Sequence, residues 1–160
     1  MNQTIQSKIQ DKIQEDISPT RNLSGIHLKI VFGIAILWTF FQLWYASPFP
    51  FWFNFGMFKG LPARAIHLGF ALTLTFLIFP MTRGKNITVL DILISVIAAF
   101  CCLYIYFFYD DLVNRGGILL VKEILGFKIP VELIIGATGI LILLEATRRA
   151  IGLPLVIIAI

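Results

Sequence analysis

Four apolar runs of membrane-crossing length, at residues 26–46, 64–81, 89–109 and 131–147, leave this chain few folds to choose from. The first, IHLKIVFGIAILWTFFQLWYA, rises about 31 Å as an α-helix, enough for a hydrocarbon core of about 30 Å. Hydrophobic residues make up 58% of the sequence and charged ones 14%. Soluble domains carry roughly 45–50% and about 25%, so a water-exposed fold could not hide this much apolar surface. The expected class is an all-α membrane protein with four transmembrane helices, the start of a fifth and short interfacial helices. The balance of +4 does not point to nucleic acid, because the basic residues are scattered singly. In a membrane protein they act as topology signals.

Punctuation along the chain fits this reading. Residues 1–24 are polar, so the first apolar run is a retained anchor and not a cleaved signal. Within them Ile5, Ile9, Ile13 and Ile17 form one stripe, suited to a membrane surface or partner, or belonging to a solvated tail. The connection SPFPFWFNFGMFKGLPA (47–63) is rich in proline and aromatic rings and lies in the interface, with Trp44 and Trp52 as anchors. The basic link 82–88 demands an antiparallel helix pair. GILLVKEILGF (117–127) is too short and too charged to span and reads as a helix in the interface plane. Gly136 and Gly139 allow close approach of another helix. Cys101 and Cys102 are neighbours, about 3.8 Å apart at Cα and below the usual disulfide span. They read as small apolar residues inside a helix.

The end of the sequence, LILLEATRRAIGLPLVIIAI (141–160), sets a puzzle. A single helix over 131–160 would either push its last apolar residues into water or draw Glu145, Arg148 and Arg149 into lipid. The second choice costs roughly 7–10 kcal/mol for three charges on insertion scales. A turn at Gly152–Pro154 avoids both, and the chain re-enters the membrane near Leu153. Some 20 residues are needed to cross, so the sequence is expected to continue as the front of a larger permease. The division expected is 1–24 as a polar cytoplasmic segment with an amphipathic stripe, 25–150 as a four-helix membrane domain and 151–160 as the start of a connecting transmembrane helix.

Orientation follows from the basic residues. An internal N-terminus places Lys8, Lys12, Arg21, Lys29, Arg83, Lys85, Arg148 and Arg149 inside. Lys59, Arg64, Arg115, Lys122 and Lys128 then lie outside. Asp91, near the start of the third run, and Asp110 and Asp111 beyond its end need not enter the bilayer centre. Glu145 can pair with Arg148 or Arg149, three and four residues on, either as an interfacial ion pair or as a joint to a partner domain. Arg64 and His67 share one helix face, with His67 within one turn of the start of its run. His67 with Asp91 is the one remote catalytic pairing; no phosphate loop, metal-ligand cluster or nucleophile–base pair is present. No cofactor is expected in this chain, and the structural or interface candidates are Arg64, His67, Glu145, Arg148 and Arg149.

Three stretches, PARAIHLGFALTLTFLIFP (62–80), YIYFFYDDLVNRGG (104–117) and LLEATRRAIGLPLVIIAI (143–160), resemble the front of fused permeases of tripartite ATP-independent periplasmic (TRAP) transporters. EATRR with its following G and LP is the most specific piece. The likeness runs from about residue 38 to the end. The first isoleucine-striped segment matches no part of it, and 118–130 departs from the usual form. The resemblance implies a small scaffold domain in a bacterial or archaeal cytoplasmic (inner) membrane, bracing a large transport domain in the same polypeptide. It implies sodium-coupled import of small organic acids or related solutes by symport, with an extracytoplasmic solute-binding protein as partner. Sodium and substrate sites would belong to the large domain. The rival expectation is a self-standing small membrane protein that forms a homo-oligomeric channel or a regulatory subunit.

Overall fold

The computed structural model describes residues 20, 21, 23, 25–81, 87–116, 118, 121–124 and 127–160; for 121–129 it describes the backbone alone. The striped segment 1–17 and most of the basic link lie outside this set. The elements are α1 (Ile26–Ala46), α2 (Phe49–Phe53), α3 (Gly60–Ile78), α4 (Val89–Phe107), α5 (Tyr109–Asn114), β1 (Val121–Ile124), β2 (Phe127–Pro130), α6 (Val131–Ala150) and α7 (Leu153–Ala159). Among the described residues three helices, α1, α3 and α4, are long and apolar enough to cross a membrane. Helix α6 is as long, but Glu132, Glu145, Arg148 and Arg149 confine its uncharged stretch to 133–144, about 18 Å.

Local chemistry sets the boundaries. Helix α1 matches the apolar run from end to end. Helix α3 starts four residues before its run, because Pro62 is tolerated in a first turn, where helix N–H groups lack partners anyway. It stops at Ile78, and Phe79 turns extended (φ −100°, ψ 102°), as a residue preceding proline is biased to do. Helix α4 ends at Phe107, and a separate short turn of helix, α5, carries Asp110 and Asp111. Gly152 breaks α6 from α7 with φ 106°, a conformation that L side chains rarely adopt.

One expected element has a different form. Within the segment predicted as an interfacial helix at 117–127, the described residues 121–124 and 127 instead belong to two antiparallel strands, β1 with β2. Only two residues, Leu and Gly, separate the strands in the sequence, a length suited to a tight hairpin link. β-Branched Val121, Ile124 and Ile129 favour extended backbone. The register sets Glu123 opposite Lys128. A helix-period reading missed this because short mixed apolar runs do not distinguish the two periods.

Helix α3 is the centre of the bundle: 44% of its apolar window is buried, against 28% for α4 and 6% for α1. On one side Leu72 and Phe76 meet Ala98 and Cys102 of α4 and Ile142 and Ala146 of α6. On another, Leu74 and Leu77 meet Val31 of α1, with Leu23 and Trp38 against them. Helices α3 and α4 come close at Gly69, where a Cβ would lie 3.3 Å from Cys102 Cβ. The two cysteines are buried, free and used as small packing residues. Gly136 has nothing within 4 Å of a built Cβ, and Gly139 only Cys101 at 3.9 Å. Both line an apolar space of about 280 Å³ between α3, α4 and α6. The close contact expected at these two glycines is therefore at Gly69 instead.

Replacing Gly69 by leucine should overpack this seam and cost about 1–3 kcal/mol, lowering the melting temperature in detergent. Gly136→Leu enters open space and adds helix propensity, so its melting temperature should be unchanged or higher.

Candidate functional site

At the end of the bundle where α3 and α6 finish and α4 begins, five ionisable side chains meet. Asp91, the third residue of α4, is fully buried. An acid in a first helical turn is favoured by the exposed N–H groups and the helix dipole, and the Thr88 N–H donates to Asp91 Oδ2 at 3.4 Å. Arg21 Nη2 donates to the same oxygen at 2.7 Å, and Arg149 Nη1 donates to Oδ1, also at 2.7 Å. Arg149 Nε donates to Glu145 Oε1 at 2.8 Å. Arg148 grips Glu145 with two bonds, Nε to Oε2 at 2.7 Å and Nη2 to Oε1 at 2.8 Å.

The sequence spacing explains half of this. Glu145 precedes Arg148 by three residues and Arg149 by four, so one carboxylate reaches both guanidiniums across a helical turn. Cations near the C-terminus of α6 also complement its dipole. The other half is tertiary. The backbone N–H of Arg21 donates to the Ile78 carbonyl at 2.9 Å, so the strand of chain before α1 straps the end of α3. Arg149 lies with its guanidinium carbon 5.0 Å from the Phe76 ring centre, and Phe76 is wholly buried. Planar guanidinium suits such stacking on an aromatic face, which an ammonium would serve less well.

Burial divides the two neighbouring arginines. The Arg148 side chain is 40% exposed; that of Arg149 is 1% exposed. Both arginines and Asp91 lie at helix ends, and there Asp91 and Arg149 are enclosed by protein. Three guanidiniums face two carboxylates, leaving one positive charge in excess. Among the described residues no acceptor meets Arg21 Nε or Arg149 Nη2. Taking such charges out of water costs several kcal/mol each, and the mutual bonds offset this only while all members are present.

The opposite end holds the remaining candidates. Lys59, just before α3, donates to Asp110, and this hydrogen bond holds the Lys59 ammonium above its usual range. Arg115 Nη1 lies 2.7 Å from Glu132 Oε1. Trp44 is half-buried, stacked on Phe53 with centroids 6.2 Å apart. Gly56 (φ 69°) lies beneath its indole, where a Cβ would come within 2.8 Å of Nε1. Trp52 is 72% exposed on the short α2. Arg64 and His67 are both exposed. His67 is seven residues into α3, about 10 Å from its start, not within the first turn as its run suggested. Trp38 Nε1 donates to His67 Nδ1 at 3.3 Å, and the Gln42 amide meets the same nitrogen. His67 and Asp91 thus bond to different partners and form no pair.

Sequence reasoning brought Glu145, Arg148 and Arg149 together but missed Arg21 and Asp91 as their partners. The links span 70 residues from Arg21 to Asp91 and 58 from Asp91 to Arg149. One signal was available: Asp91 is the only charged residue in the 19-residue α4, and a lone ionisable group in an apolar span normally has a partner in the bundle. Among the described residues no three His, Cys, Asp or Glu side chains gather to hold a metal ion. Compared with family models, with curated proteins and with solved structures, the chain matches none.

Asp91→Asn should strip two buried guanidiniums of their counter-charge and cost about 3–5 kcal/mol of unfolding free energy, as broken buried pairs do. Arg148→Ala, at a partly exposed pair, should cost about 0–1 kcal/mol. Denaturant titration in detergent micelles measures both.

Proposed function

We propose that this chain is the bracing membrane domain of a sodium-coupled, binding-protein-dependent secondary transporter for small organic acids or related solutes. In this reading α6 is the fourth span and α7 begins a fifth that leads to a large transport domain. The N-terminus and the arginine pair face the cytoplasm of a bacterial or archaeal cell. The role is non-catalytic.

The observation that carries the reading is the buried ion network. It fixes the ends of α3, α4 and α6 and the strap before α1 to one another, as a part that must hold still requires. The rest of the surface supports it. Helix α1 leaves Phe32, Leu37, Phe40 and Leu43 each about half exposed or more, and an apolar groove of about 1270 Å³ opens between α1, α3 and α4. A frame needs such apolar surface for lipid and for its load. The resemblance of EATRR and its flanks to fused TRAP permeases names the kind of load.

One observation favours a second reading. Since α1 buries so little against this chain, copies of the chain could cover it, giving a homo-oligomeric channel or a regulatory subunit. Purification from native membranes separates the two. The brace should come with a large multi-span permease, covalently or as a stable complex. In liposomes that complex should take up solute only with a sodium gradient and a solute-binding protein. A homo-oligomer of this chain that moved solute unaided would overturn the proposal.

A further inference from the structure

With α3 across a bilayer, the face formed by Arg64 and His67 sets polar groups where lipid offers nothing to match them. Arg64 and His67 lie four and seven residues past Gly60, about 6 and 10 Å along α3. The exposed Lys59–Asp110 pair marks the wet boundary just above. Trp38 Nε1 is a donor only, so the His67 Nδ1 it meets must accept, and the ring proton then sits on Nε2. Among the described residues nothing accepts from His67 Nε2, and no ion pair holds Arg64. In hydrocarbon, unmatched N–H groups are strongly disfavoured. An arginine can stretch toward the headgroups; a histidine two turns down, bonded to Trp38, cannot.

We propose that this face docks a transmembrane helix of another protein segment, one that carries an Asp or Glu side chain opposite Arg64 and His67. Both groups only donate there, and one is cationic, so the matching surface is an anionic acceptor. The described carboxylates of a second copy of this chain do not supply it. Among the described residues Asp91 and Glu145 are committed to the network at the far end, Asp110 to Lys59 and Glu132 to Arg115. Asp111 lies beyond the end of α4, outside the depth of His67. A lipid phosphate suits Arg64 alone. The proposal requires that α1 and α3 cross a bilayer but not that the chain serves a transporter, so it survives failure of that reading.

The test places a photoreactive benzoylphenylalanine at Leu68, 38% exposed and one helical turn from Arg64, in the full chain in native membranes, with Val96 on α4 as the control position. The cross-linked peptide at Leu68, and not at Val96, should be an apolar helical segment of another sequence region or protein containing an acidic residue. Arg64→Leu with His67→Leu should cut the yield at least tenfold. Arg64→Glu should do the same, and changing the acid of the captured segment to arginine should restore the yield. That reversal keeps the test decisive if the double leucine variant folds poorly. Cross-links to lipid alone, to a second copy or to a segment without an acid would overturn the proposal. So would a yield indifferent to Arg64 and His67, or a charge reversal that restores nothing.

Discussion

The carboxylate of Asp91 accepts from two guanidiniums that arrive from opposite ends of the chain, and the geometry of the whole bundle depends on their meeting. Arg21 comes from the strap before α1, Arg149 from the last turn of α6, and Asp91 itself from the first turn of α4. Phe76 of α3 closes the group from the side. An unpaired charge in this place would be costly, so each member is tolerable only because the others are there. That mutual dependence ties four stretches into one end-piece. It also explains why a chain so apolar keeps ionisable groups inside its fold.

Away from that end the bundle is loosely self-covered. Helix α3 is well packed, but α1 and α4 turn most of their apolar surface outward. In water this would be a liability; in a bilayer it is the surface presented to lipid and to neighbouring helices. Association within lipid gains little from hydrophobicity and relies on close packing and on polar contacts. Gly69 against Cys102 supplies the first kind, and the ion network the second. A device with one locked end and open apolar flanks is suited to bearing against another membrane body, which is what the proposed bracing role asks of it.

Much of the fold was legible in the sequence because lipid imposes simple rules on it. Uninterrupted apolar length gave α1 its bounds to the residue, and glycine before Leu-Pro marked the break between α6 and α7. The charged tail of α6 made its own pairing readable, since three- and four-residue spacings put Glu145 under both arginines. Contacts across 58 and 70 residues carry no local signature, so Asp91 looked like a marginal charge when it is the hub. The hairpin at 121–130 was hidden for another reason: its short runs mix charge and apolar residues without a clear period. The start of α3 was misplaced, because Gly60 to Ala63 read as connection and proved to be helix.

Asp91 and Arg149 are expected to act as a coupled pair within the fold. A double-mutant cycle with Asp91→Asn, Arg149→Met and the two together, read by unfolding in bilayer-mimicking micelles, tests it most directly. The expected coupling is about 0.5–3 kcal/mol, the range found for side chains in one network. Losses that simply add, to within about 0.5 kcal/mol, would contradict it.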